Sequence, residues 1–404
     1  MNILRALCLT VVAGLVVFGL SACSDSGGGA DSAPTADESF ADGMNVIQDA
    51  VSQIEIQDPP WEWSVDMGEA NAYFEDALDA DPNHCGAQVM AAVTRLVMVL
   101  QDPELGQILE GLFPAVEGDR PGGSLFRVLQ SPDVIGAAER LRGMERDGMP
   151  FSDLQDYIES EAIPALAYAD DKMADFEDQD CVVVLEIEVE AARPVIEVEI
   201  DATDVYLLNA ALDAVQTALY VAVSYNVDVE DGQTLQELVD EDPDFLSLRS
   251  GNSMPAALGE LTELYEHLGA GAASMAAETD PQDTDIFTNT DDEGYVALGA
   301  GFADTLAMIA DEIAAGLTSG LTVNPHDDLD ESAPDMDILI DIAEMFTDPL
   351  DPITDYFPAH TWPDSNRMEL TDPVDFPDPT MSGITPDMTD QRWGQLIDWM
   401  SGAY

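Results

Sequence analysis

Apolar residues recur at helical spacing along most of the chain beyond Phe40, and switch to strict alternation only between positions 182 and 200. From Phe40 to about Asp178 the period predicts helices, broken at Asp58-Pro59-Pro60, Asp102-Pro103 and Arg120-Pro121-Gly122-Gly123. In the alternating stretch, Leu185, Ile187 and Val189 are interleaved with Glu186, Glu188 and Glu190, and Ile196, Val198 and Ile200 with Glu197 and Glu199. With Ala191-Ala192-Arg193-Pro194 between the runs, this predicts a β-hairpin with one apolar and one acidic face. Asp201-Ala202-Thr203-Asp204 then marks the start of a helix from Val205 to about Tyr225. That helix is apolar around most of its circumference, with a single polar stripe of Asn209, Asp213, Gln216 and Tyr220. It is long enough to span a bilayer, but a carboxylate at its centre would cost about 3 kcal/mol there, so a core helix is expected.

Further helices are predicted over Met254–Met275, Tyr295–Leu317, about Met336–Phe346, and Thr389–Met400, with a polar loop from Glu278 to Gly294. Ten of the 24 prolines lie between Pro325 and Pro386, which excludes long regular elements there. With Tyr356, Phe357, Trp362 and Phe376 spaced along it, that stretch reads as an extended arm wrapped on the helical body. The expected fold class is therefore mainly α: a helical body at 40–325 containing the β-hairpin of about 182–200, then a Pro/Asp-rich arm at 326–404 ending in a short helix.

Within the helical part, Ala70, Phe74, Ala77, Leu78 and Pro82, followed by Ala87 and Ala92, are spaced so that small residues let two helices approach while Phe74 fills the gap. The order and spacing resemble the second helix, turn and next first helix of a tetratricopeptide repeat. The resemblance covers about thirty residues, and no 34-residue period continues past Leu100, so it implies one antiparallel helical hairpin.

The N-terminal region carries a second resemblance. Arg5 precedes an uncharged apolar run ending in Leu20-Ser21-Ala22-Cys23, and Ser24-Asp25-Ser26-Gly27-Gly28-Gly29-Ala30 follows. This is similar to the signal sequence, lipobox and tether of a bacterial lipoprotein. The resemblance implies a signal peptide at 1–22, a diacylglyceryl group on the Cys23 thiol, an acylated Cys23 amine, and a flexible linker over 23–39. Two or more acyl chains are needed for firm anchoring, because each buried methylene contributes only about 0.8 kcal/mol. Ser24, rather than Asp, after the lipidated position implies the outer membrane. Cys8 would leave with the signal and Cys23 would be consumed by lipid, leaving Cys85 and Cys181 as an even pair in an oxidising compartment, where a disulfide is expected.

Composition narrows the partners. Against 82 Asp and Glu there are 12 Lys and Arg, and Lys172 is the only lysine. Such a polyanion cannot release counterions from nucleic acid, nor dock on anionic headgroups through a basic patch. The hydrophobic content of 46% is high enough to build a core, which argues against disorder. Heavy use of acids with almost no lysine resembles proteins of salt-loving organisms, and implies a fold that needs screening.

No reaction is written in a motif. Gly-x-Ser-x-Gly, His-Glu-x-x-His, Cys-x-x-Cys and the Walker loop are all absent from the sequence. Gly269-Ala-Gly271 and Gly299-Ala-Gly301 follow no predicted strand and are better explained by close helix packing. His84, His267, His326 and His360 are scattered and read as cap, surface or arm residues, so no catalytic residue is assigned. No cofactor is implied beyond structural calcium, for which the carboxylate-rich loops Asp280–Glu293 and His326–Asp341 are the candidate ligands. Asn289-x-Asp291-x-Glu293-Gly294 begins like an EF-hand loop, but Ala300 stands where a bidentate Glu is required. The reading that results is a non-catalytic cell-envelope lipoprotein with a membrane anchor and a protein or glycan partner. The alternatives are an envelope glycan hydrolase using paired carboxylates, or an adhesion module ordered by calcium.

Overall fold

A computed structural model describes residues 34–51, 67–102, 151–177, 179, 181–187, 196–227, 244–277, 287–288, 296–297, 301–328, 334–356, 360–361, 369–370 and 375–400. The signal region, Cys23, most of the linker, the breaks at Pro59-Pro60, Pro103 and Pro121, and most of the 280–293 loop lie outside these residues. The fold is mainly α with one β-hairpin. Two compact units divide the chain: Met1–Gln216 with Glu266–Met308, and Thr217–Tyr265 with Ile309–Tyr404.

In the first unit, α1 (Ala36–Val51) packs on α2 (Met67–Ala80), α2 on α3 (Cys85–Leu100), and α3 on α5. Helix α4 (Phe151–Tyr157) runs through one π-turn (Ile158–Ala162) into α5 (Ile163–Glu177). The α2–α3 hairpin follows from its small residues: Ala70, Ala77, Ala87 and Ala92 are fully buried together with Phe74. Gly43 of α1 lies against the same ring, where an added Cβ would sit 2.7 Å from Phe74, so α1 closes the third side of that contact. The turn between α2 and α3 ends in His84, whose Nδ1 accepts from the Ala87 amide at 3.1 Å and caps α3. Asn71 donates to the Ala91 carbonyl and the Thr94 hydroxyl, satisfying a buried amide between the two helices.

The alternating stretch forms the hairpin β1 (Val183–Ile187) and β2 (Ile196–Ile200), with Leu185 opposite Val198 and Ile187 opposite Ile196 in antiparallel register. Helix α6 (Ala202–Ser224) begins directly after it, and the Asp201 carboxylate accepts from the Thr203 and Asp204 amides as its cap. By length and composition α6 could cross a membrane, but 56% of its apolar window is buried inside the protein, so packing accounts for its apolarity. Helix α7 (Met254–Ala277) runs antiparallel to α6 in this unit: Thr203 bonds Ser274, Leu207 packs where Gly271 leaves room, and Asp213 meets His267. Gly271 is thus a close-approach residue inside a helix, as its place in the sequence suggested.

The second unit has a core of Tyr225, Met254, Ala257 and Phe346, ringed by Leu246, Leu248, Leu258 and Leu261. Beyond α7 come the two-residue strands β3 (Phe287–Thr288) and β4 (Val296–Ala297), paired in parallel, then α8 (Phe302–Ser319), which starts at Phe302 rather than the expected Tyr295 because Val296 and Ala297 are taken up in the strand pair. One expected helix is corrected. Residues around 336–346 form the strand β6 (Ile338–Ile340), paired antiparallel with β5 (Leu321–Val323), and only afterwards a single helical turn, α10 (Glu344–Thr347). Ile338, Leu339 and Ile340 are a short apolar run that strand pairing stabilises better than an isolated turn of helix. The four-residue α9 (Pro325–Asp328) lies between those strands. The remaining short elements are a 3-10 turn (Ile353–Tyr356), β7 (His360–Thr361), β8 (Glu369–Leu370) and α11 (Asp390–Met400). Phe376 and Ile397 form a second small core with Tyr356, Met381 and Trp393, and the Trp393 indole donates to the Pro379 carbonyl at 2.8 Å.

The turn that presents Pro379 is organised by Asp378, whose carboxylate accepts from the Thr380 hydroxyl and amide and from the Ser382 amide. The Thr380 hydroxyl and amide, with the Ser382 amide, outweigh slight burial and hold its pKa below the ordinary 3.8. A carboxyl depressed on folding adds stability that is complete above its unfolded pKa and is lost as pH falls through the folded one. Asp378→Asn is therefore expected to flatten the acid limb of the stability curve below about pH 4. Trp393 fluorescence followed down the pH scale reads this turn directly, and identical acid limbs in the two proteins would refute the assignment.

Candidate metal centre

Three helices of the first unit deliver one buried cluster of titratable groups. Helix α5 contributes Asp170 and Glu177, two turns apart and so on one face. Helix α6 contributes Asn209, Asp213 and Gln216 from its polar stripe, and α7 contributes His267. Ligand atoms of Asp170, Asp213 and His267 all lie within 4.8 Å of one another.

The geometry is centred on His267. Its Nδ1 donates to Asp213 Oδ2 at 2.7 Å, and its Nε2 lies 3.9 Å from Glu177 Oε1. Glu177 Oε1 also accepts from Asn209 Nδ2 at 2.8 Å. The Tyr206 ring lies beside the imidazole, with centroids 6.5 Å apart. The Asp213 side chain is 0% exposed and that of His267 is 17% exposed.

Burial pushes the Asp213 carboxyl above its ordinary 3.8, and the hydrogen bond and charge of His267 only partly offset this. Burial also opposes charge on the imidazole, but the Asp213 hydrogen bond and the charges of Asp213, Glu177 and Asp170 overcome it and raise the His267 pKa. Enclosed carboxylates around one imidazole are costly to bury unless each oxygen finds a partner. Several polar atoms here do not: Asp213 Oδ1, Asn209 Oδ1 and both amide atoms of Gln216 are buried without a hydrogen-bond partner.

Of the residues expected from sequence, Cys85 and Cys181 are brought together as a disulfide with Cα atoms 6.3 Å apart, and Cys23 lies outside the described residues. In the second candidate calcium loop, Asp335 and Asp337 both accept from the Asn324 side-chain amide, at 3.1 and 3.2 Å. Most of the first loop lies outside the described residues. His84 is a cap, as its type suggested, whereas His267 belongs to a carboxylate cluster that sequence reasoning missed. One signal for it was present: an Asp flanked by Asn and Gln on the polar stripe of an otherwise apolar helix. No protein-family model, curated protein or solved structure matches this chain.

Proposed function

We propose that this chain is a lipid-anchored cell-envelope protein whose acidic, mainly helical body has a non-catalytic binding or scaffolding role, with a protein or glycan as partner. The observation that carries the reading is Cys23, placed directly after Leu20-Ser21-Ala22 at the end of an uncharged apolar run and ahead of a Ser/Gly-rich tether. The Cys85–Cys181 bridge supports it independently, because such bonds persist in oxidising compartments. Cys23 would then carry the acyl chains, and Ser24 favours the outer membrane. The α2–α3 hairpin, with its tetratricopeptide-like spacing of small residues, supports protein binding over catalysis.

The test is mass spectrometry of the N-terminal peptide from bacteria making the full chain, with Cys23→Ser alongside. The expected result is a chain beginning at Cys23 with its thiol and amine acylated, and a Cys23→Ser variant that carries no acyl group and keeps residues 1–22. A chain still carrying residues 1–22 with a free Cys23 thiol would refute the proposal, as would cleavage before residue 23 in the variant as in the wild type.

A further inference from the structure

We infer that Asp170, Asp213 and His267 form a binding site for one first-row divalent cation of the Zn²⁺ type, tying α5, α6 and α7 together. The donor set is one imidazole and two carboxylates whose ligand atoms lie within 4.8 Å of one another. Calcium and magnesium take oxygen ligands almost exclusively, so a central imidazole selects a borderline cation such as Zn²⁺.

The cluster is more than a gathering of acids, because its innermost member is incompletely satisfied. Asp213 uses Oδ2 for His267 Nδ1, while its Oδ1 has no partner although the side chain is fully buried. One turn earlier Asn209 Oδ1 is buried and also lacks a partner, and three residues later the whole Gln216 amide does. A native interior rarely leaves so many polar atoms on one stripe unsatisfied, and a cation with its bound water would supply what they lack.

The surroundings match what a metal-binding imidazole needs. With Nδ1 facing Asp213, the opposite nitrogen faces Glu177, and Asn209 fixes that carboxylate by a 2.8 Å bond. A carboxylate behind a ligating histidine orients the ring and sharpens its basicity. Metal entry asks His267 and Asp213 to separate slightly. The 2.7 Å separation of Nδ1 and Oδ2 must open to about 3.3 Å for tetrahedral ligation with bonds of about 2.0 Å. A rotamer adjustment of His267, which is 17% exposed, supplies that. Three protein ligands leave the fourth tetrahedral position to water. The site is independent of the lipid anchor, since its three ligands on α5, α6 and α7 need no acyl group to come together.

The experiment strips the full chain with chelator, adds Zn²⁺ at about 2 M NaCl to suppress loose binding to surface acids, and counts the zinc retained after desalting. One zinc per chain is expected, with a rise in melting temperature that Ca²⁺ at the same concentration does not give. His267→Gln is expected to weaken binding about 100-fold, and Glu177→Gln about 10-fold while keeping the one-to-one ratio. Asp170→Asn, at the partly exposed edge, serves if His267→Gln does not fold. Co²⁺ gives a separate readout, because intense visible bands report four- or five-coordination in the wild type and are lost in the His267 and Asp170 variants. Failure to retain zinc, equal retention by wild type and both ligand variants, or only weak six-coordinate cobalt bands would overturn the site.

Discussion

Replacing both Cys85 and Cys181 by alanine is expected to lower the unfolding free energy by about 4–5 kcal/mol. The two cysteines are 96 positions apart, so the bridge removes a large share of the conformations open to the unfolded chain. What it closes in the native state matters as much. Cys85 is the first residue of α3, and Cys181 stands just ahead of β1, so the bridge binds the start of the α3–α5 packing to the entry of the hairpin. Losing it frees that long segment in the unfolded ensemble while α3 and α5 keep their mutual packing in the folded one. Denaturant unfolding in molar salt measures the effect, and the double variant is the right comparison because either single one leaves a thiol able to mispair. Midpoints that coincide within error would show that the loop is already restrained by other means.

The second large effect is that of salt. Raising NaCl from about 0.1 M to about 1 M is expected to lift the melting temperature by on the order of 10 °C, because the screening length falls from about 10 Å to about 3 Å. Acids outnumber basic residues by about seven to one, so few carboxylates can be paired with a cation. The architecture compounds this. Helices α1, α2, α3, α5, α6, α7, α8 and α11 all lack a basic residue in the last turn, so their negative dipole ends are not offset by side-chain charge. KCl should act as NaCl does at equal ionic strength, since the effect is screening rather than ion recognition. A melting temperature that is flat or falls over this range would contradict it.

How far the sequence could be read depended on the range of the interaction. Period and punctuation are local, and they located the turn between α2 and α3 and placed α6, α7, α11 and the hairpin within a few residues of their observed ends, whereas α8 begins seven residues later than its apolar period suggested. The faces of that hairpin were legible as well, since alternation puts 185, 187, 196 and 198 on one side, but its register was not, because a shift of two residues keeps the same faces. Residues 338–340 were misread because a three-residue apolar run has no period, and its fate was decided by pairing with Leu321–Val323. The metal centre was half legible. Asp213 and Asn209 were visible as a polar stripe, but their partners lie 54 and 32 residues away on other helices. Among 82 acids, nothing in the local pattern distinguishes Asp170 or Glu177 from a solvated face.

Lys172 has a practical consequence for anyone seeking a partner of this protein. Its ammonium sits over the Tyr168 ring, 5.6 Å from the centroid, and 3.6 Å from the Asp175 carboxylate, and it is the sole lysine. Reagents that couple primary amines would therefore report, apart from an unblocked N-terminal amine, on one spot of α5 and stay blind to every other surface. Carbodiimide or photoactivated chemistry, which can use the abundant carboxyl groups or any C–H bond, samples the whole exterior; an amine-derived label becomes instead a single, chemically unique beacon on that helix.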